Sequence, residues 1–170
     1  MEKKETNIFK ELIPYIIIVI IVVLFRSFIM TPVEVEGQSM YSTLKNGEIL
    51  ILKKYDKNYK RFDVIVFKNE KDKLIKRVIG LPGESVEYKD NKLYINGKYV
   101  KEKFLKNDQQ TYDFSLEELG YKKIPKNYYF VLGDNRTNST DSRIIGLINS
   151  KQITGKSDFI IFPFTKIGKF

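Results

Sequence analysis

Histidine and cysteine are both absent from the 170 residues. Their absence removes Ser-His-Asp triads, Cys-His pairs, histidine metal sites, zinc-thiolate sites and disulfides together. Nucleophilic catalysis in such a chain must activate Ser, Thr or Lys with Lys, Asp, Glu or Tyr. Without cysteine the redox compartment stays open, since a disulfide-free chain suits either side of a bacterial membrane. No segment calls for a metal or a cofactor. An arginine-rich helix is missing as well: the excess of 30 Lys+Arg over 21 Asp+Glu, a net charge of +9, is mostly lysine scattered along the chain. That pattern argues against a nucleic-acid partner and for a solvated or lipid-facing basic surface. There is no internal repeat and no low-complexity tract. With 42% hydrophobic residues and 14% aromatics, the chain can core one domain plus an appended segment, but not a second large domain.

The appended segment is N-terminal. From 12 to 25 the chain runs Leu-Ile-Pro-Tyr-Ile-Ile-Ile-Val-Ile-Ile-Val-Val-Leu-Phe without a charge. At about 1.5 Å per residue this covers only about 21 Å of a hydrocarbon core of about 30 Å. If Arg26 snorkels, the helix extends through 30 and spans. Pro14 is tolerable in a first turn and Pro32 is a natural stop. Phe28-Ile29-Met30-Thr31-Pro32 offers no small-residue cleavage site, so the segment reads as a retained anchor. The expected organisation is a cytoplasmic tail over 1–11, a single-pass transmembrane anchor over 12–30 in the cell membrane, and an extracytoplasmic domain over 31–170. The positive-inside signal is weak, because Glu2, Glu5 and Glu11 offset Lys3, Lys4 and Lys10.

Beyond Pro32 short apolar runs alternate with turn residues. Strands are expected at 33–35, 48–53, 63–68, 73–79, 92–95, 99–101, 128–132 and 158–162. Asn96-Gly97 suits a two-residue hairpin turn and Leu81-Pro82-Gly83 a type II turn; only 115–119 reads as a brief helix. The fold class is mainly β, an antiparallel sheet or barrel-like core with a Lys- and Asp-rich inserted hairpin subdomain over about 84–126.

Three polar features could carry chemistry. Glu36-Gly37-Gln38-Ser39-Met40 follows the anchor, and a glycine there lets the backbone turn so that Ser39 is exposed with its own N–H facing a carbonyl. Alone, Gly-x-Ser is more often a plain turn. In Lys73-Leu74-Ile75-Lys76-Arg77-Val78-Ile79, strand alternation sets a cation among apolar residues on either face. Desolvation there can bring a lysine from about 10.4 to the 7–8 of a useful base; read alone, Lys76 and Arg77 are equally strand-edge cations. Gly133-Asp134-Asn135-Arg136-Thr137-Asn138-Ser139-Thr140-Asp141-Ser142-Arg143 fails as a calcium loop, since Ser139 and Ile145 replace the required glycine and glutamate. A paired Asp141 and Arg143 could brace a neighbouring site.

In this order, behind an anchor, the segments closely resemble the type I signal peptidases of the compact Gram-positive type, over essentially the whole chain. The resemblance implies a serine endopeptidase that removes signal peptides from exported preproteins after small residues at −1 and −3, with Ser39 as nucleophile and Lys76 as general base. It further implies that Ser139 orients the lysine amine and that Asp141 and Arg143 hold its loop. Gly37 stands where some members carry an oxyanion-binding serine, and Thr137 where an acidic residue is common. Substrate contacts are expected from Val33, Val35, Gly37, Gln38, Leu74 and Ile75 on strands flanking the dyad. The expected partners are preproteins and the bilayer, and the expected state is a monomer. Two other readings stay open: a self-cleaving Ser-Lys peptidase, against which the anchor argues, and a non-catalytic membrane-tethered β module.

Overall fold

The computed structural model describes residues 8–28, 30–70, 72–105 and 109–170, and within its first helix the side chains of residues 10–23. That helix, α1 (Ile8–Phe28), begins before the apolar run, so Pro14 lies inside it rather than in its first turn. The apolar side chains along α1 are half exposed or more, from Leu12 at 47% to Tyr15 at 67%. Among the described residues no helix is long and apolar enough to cross a membrane. The span expected over 12–30 runs into residues 24–29, whose side chains lie outside those described.

The rest is β structure: β1 (Met30–Glu34), β2 (Ile49–Lys53), β3 (Val64–Asn69), β4 (Asp72–Gly80), β5 (Val86–Lys89), β6 (Lys92–Ile95), β7 (Lys98–Val100), β8 (Phe114–Ser115), β9 (Tyr128–Leu132), β10 (Ile148–Asn149), β11 (Ile153–Ser157), β12 (Phe159–Phe162) and β13 (Gly168–Lys169). A one-turn helix, α2 (Ser142–Ile145), follows β9. Nine strands form one sheet in the order β10-β9-β4-β3-β11-β2-β12-β13, with β1 also on β2. The path does not close, so the barrel-like core is an open, branched antiparallel sheet. Pro32 falls inside β1 opposite Ile51 rather than ending a helix; β1 lies off the main path and, among the described residues, pairs with β2 as its one strand partner, so a missing N–H is tolerated there.

β3 sits at the centre and explains how the core is split. Val64 and Val66 pack with Leu50, Leu52 and Ile160 in one cluster, while Ile65 and Phe67 pack with Val78, Val131 and Ile153 in another. Period-two alternation therefore feeds both faces of a strand buried on each side. The second sheet, β7-β6-β5-β8, is contributed by the chain between β4 and β9. Its Val86, Tyr88, Leu93 and Phe114 share a cluster with Ile79, Phe130 and Leu132 of the larger sheet. The insertion thus has no core separate from its host. Its hairpin turns at Asn96-Gly97, with φ of 50° and 74° as a type I′ turn needs, and the brief helix expected at 115–119 is a 3-10 turn over Leu116–Leu119 capped by Ser115.

Candidate active site

Lys76 and Arg77 are neighbours on β4, so their side chains leave on opposite faces. Both are buried, at 2% and 5% exposure, and they meet burial differently. Arg77 is fully partnered: Nε and Nη2 donate to the two carboxylate oxygens of Asp134 at 2.8 and 2.6 Å, Nη1 to the Phe62 carbonyl at 2.9 Å, and the Phe104 ring lies 4.0 Å from its Cζ. A buried cation so paired braces β4 against the loop after β9. Lys76 makes no ion pair among the described residues. Its Nζ lies 2.8 Å from Ser39 Oγ and 3.0 Å from the Ile75 carbonyl. Burial pushes the ammonium down to about 8, against the opposing pull of the Asp141 and Asp134 carboxylates. Such an amine is neutral in about a tenth of molecules at pH 7 and in about half at pH 8, against almost none for an ordinary lysine, and the neutral form is what a general base requires.

Ser39 is held from both sides of its turn. The next residue, Met40, and Leu44 are buried in the core at 1% and 0% exposure. Gly37 has φ of +83°, which glycine alone adopts cheaply, and its N–H donates to Asn46 Oδ1 at 2.7 Å. From the other side comes Asn135, whose backbone N–H donates to the Ser39 carbonyl at 3.0 Å and whose side-chain amide donates to the Gln38 carbonyl at 3.1 Å. This approach requires Gly133: a Cβ there would overlap the Ser39 carbonyl oxygen and Ser139 Oγ.

The loop over 133–143 is tied internally by Asp141, which is 0% exposed. Its carboxylate accepts from Gly133 N–H at 3.0 Å, from Arg143 Nε at 2.9 Å and from Arg143 Nη2 at 2.9 Å. Ser142 Oγ accepts from the Val131 N–H at 2.9 Å and stitches the loop to β9. Ser139 Oγ, buried in the same loop, has no hydrogen-bond partner among the described residues, while the Lys76 amine lies against Ser39 Oγ and the Ile75 carbonyl.

A cleft of about 610 Å³ opens beside the pair, lined by Val33, Leu74, Ile75, Ser39 and Lys76 together with the polar rim residues Glu34 and Asp72. Of the expected substrate contacts, Val33, Leu74 and Ile75 line it. Val35 does not: β1 ends at Glu34, Val35 pairs with the Glu48 carbonyl at 2.8 Å, and its side chain is 3% exposed in the core. Gly37 and Gln38 sit exposed on the turn, outside the cleft lining. Asn135, Asp134 and Ser142 were not singled out from the sequence. Arg77 beside Lys76 in an apolar strand is the signal that a carboxylate partner had to exist, but sequence could not choose between Asp134 and Asp141.

Comparison with known proteins gives concordant results. The family model described as "Signal peptidase, peptidase S26" matches residues 8–162. Signal peptidase I S of Bacillus subtilis (strain 168) is 42% identical over 163 residues, covering 91% of this chain and 89% of that protein. Signal peptidase I T of the same strain is 44% identical, covering 97% and 91% respectively. Among solved structures, a signal peptidase I from Enterococcus faecalis V583 superposes with a TM-score of 0.53 at 38% identity, over 58% of this chain and 96% of that one.

Proposed function

The chain belongs to the S26 family of signal peptidases, which makes it a serine peptidase, and on that footing we propose that Ser39 and Lys76 are its nucleophile and general base. The observation that carries this reading is the 2.8 Å separation of Oγ and Nζ at an amine that burial pushes down to about 8. As Ser39 Oγ bonds to the scissile carbonyl carbon, its proton passes to neutral Lys76 Nζ and the carbonyl electron pair moves onto oxygen, which faces the Ser39 N–H. Collapse breaks the C–N bond, and the Lys76 ammonium returns the proton to the departing amine. Water then enters, gives a proton to Lys76 and attacks the acyl carbon. Ser39 leaves and takes its proton back from the lysine.

The substrate is an exported preprotein, bound extended in the cleft and cut at the end of its signal peptide. Two strands are placed to receive it. Among the described residues β1 pairs with β2 as its one strand partner, and β9 joins β4 from Arg77 onward, which leaves 72–76 strand-paired with β3. A chain laid between those edges points residues −1 and −3 the same way, toward the face that Val33 and Ile75 share, with Leu74 on the opposite face of β4. Such shallow aliphatic walls fit alanine. The 21 residues of α1 rise about 31 Å, and its exposed apolar side chains suit lipid; we assign residues 12–30 as the anchor, 1–11 to the cytoplasmic side and 31–170 to the outside.

The test is incubation of the detergent-solubilised chain with a preprotein, followed by N-terminal sequencing of the product. Ser39→Ala and Lys76→Ala each abolish cleavage with the fold intact, and wild-type kcat/KM rises with pH through about 8. Persistent cleavage by either variant, or a flat profile where chemistry limits the rate, would defeat the dyad.

A further inference from the structure

The chain inserted between β4 and β9 lies outside the dyad and its cleft, yet its β5 strand and the connection from β7 to β8 carry the acceptors of the most buried cation among the described residues. Arg136 is 1% exposed and stands in the loop that holds the backbone of Ser39. Its Nη2 donates to Glu102 Oε1 at 2.6 Å, and its Nη1 to Glu102 Oε2 at 3.2 Å, Thr111 Oγ1 at 3.0 Å and Tyr88 Oη at 3.0 Å. Nε turns back to the Gly133 carbonyl at 3.1 Å. The Tyr88 hydroxyl donates in turn to Glu102 Oε1 at 2.8 Å. Every acceptor but Gly133 therefore comes from the chain inserted between β4 and β9. Two residues past Glu102, the Phe104 ring is 4.0 Å from Arg77 Cζ and 5.9 Å from Arg136 Cζ, so the insertion contacts both arginines.

The consequence falls on the residue between the two clamped positions. Asp134 is fixed by Arg77 and Arg136 by Glu102; Asn135 lies between them and donates to the carbonyls of Ser39 and Gln38. The Arg136 carbonyl also accepts from Arg143 Nη2 at 2.7 Å, which joins the anchor to the Asp141 brace. A guanidinium with bidentate carboxylate recognition sets position as well as charge. We propose that Arg136, held by Glu102, Tyr88 and Thr111 of the insertion, is a positioning residue that fixes Ser39 relative to Lys76 through Asn135. The insertion is then a working part of the active site. This rests on the dyad reading for its effect on turnover, but not for its effect on the geometry of Asn135.

The test is Glu102→Gln in the full chain in detergent micelles, which keeps the side-chain shape and takes from the buried Arg136 cation the carboxylate that pairs with it, leaving the more distant charge of Asp134. Glu87→Gln, exposed on β5, is the control. Two quantities are read well below the unfolding midpoint: hydrogen exchange of the Asn135 amide, and kcat and KM on a peptide spanning an Ala-x-Ala site. The expected result is Asn135 exchange faster by about tenfold or more, kcat lower by about 100-fold, as a misplacement near 1 Å produces, and KM within about twofold. Glu102→Asp, which keeps the charge, recovers part of both. A lower midpoint with kcat per folded molecule unchanged overturns the proposal, as does unaltered Asn135 exchange. If the wild-type chain cleaves nothing, the dyad reading falls and Asn135 exchange alone decides. If Glu102→Gln does not fold, Thr111→Val removes one acceptor from the same guanidinium and is judged by the same two readouts.

Discussion

Replacing Lys76 by methionine is expected to abolish cleavage and, at neutral pH, to stabilise the fold. The side chain is 2% exposed, and burial pushes its ammonium from 10.5 to about 8 although Asp141 and Asp134 act the other way. Between those two values the unfolded chain binds more protons than the folded one, so stability rises with pH from about 8 to 10.5. Below about 8 both states are protonated and the folded state carries the whole cost of a buried charge, about 3 kcal/mol at pH 7; by pH 10 about 0.8 kcal/mol remains. Methionine fills a similar space without charge. It gives up the bond to the Ile75 carbonyl and to Ser39 Oγ, which offsets the gain by about 1 kcal/mol. Lys76→Met should therefore exceed wild type by about 2 kcal/mol at pH 7, and the difference should shrink by about 2.5 kcal/mol on going to pH 10. Urea unfolding of both proteins, followed by tyrosine fluorescence at the two pH values, measures this directly; the other lysines and tyrosines titrate in both proteins and cancel. A variant less stable than wild type at pH 7, or a difference that does not change with pH, would refute the buried-amine argument.

What could be read from the sequence was local or carried by the motif resemblance. Asn96-Gly97 specifies its own turn, and Asp141 finds Arg143 two residues away. Lys76 could be placed in an apolar strand from alternation alone, and its proximity to Ser39 was implied by the order of the motifs. Partnerships across long separations could not be read. Arg77 meets Asp134 at 57 positions' distance and Arg136 meets Glu102 at 34, and nothing in a lysine-rich chain singles out which carboxylate serves which arginine. The same limit hid β5 and β11. Val-Glu-Tyr-Lys is only four residues long and Ile-Thr-Gly-Lys-Ser carries a single large apolar side chain, and they become strands because β6, β8, β3 and β2 present partners. Val35 was assigned to the cleft because alternation continues the face of Val33. The strand stops one residue earlier, and the backbone bends Val35 into the core beside Met40 and Leu44.

Ser139→Ala removes a buried hydroxyl that has no partner, so its unfolding midpoint should match wild type or exceed it. If that hydroxyl steadies the lysine during turnover, kcat falls about tenfold or more, and unchanged kcat removes Ser139 from the site. Asp141→Asn breaks a carboxylate that serves Gly133 and Arg143. With Arg143 15% exposed, the cost is at the low end of a buried pair, about 3 kcal/mol by urea unfolding. Because the Asp141 charge raises the Lys76 pKa, the residual activity of Asp141→Asn should rise at lower pH than wild type; a shift to higher pH would contradict the electrostatic assignment. The last expectation concerns what the cleft admits. Residues −1 and −3 of an extended substrate share a face, and on the proposed binding mode the walls they meet are Val33 and Ile75, of which Ile75 is only 8% exposed and backed by Val64 and Val66. A packed wall of that kind cannot retreat by the width of a ring, since opening space for added bulk costs about 1–3 kcal/mol or more per site. Peptides with alanine at both positions should be cut, and phenylalanine at either should lower kcat/KM by about 10- to 100-fold or more. Equal rates for bulky and small residues at −1 would mean that the chain does not read its substrate through this cleft, even with the dyad intact.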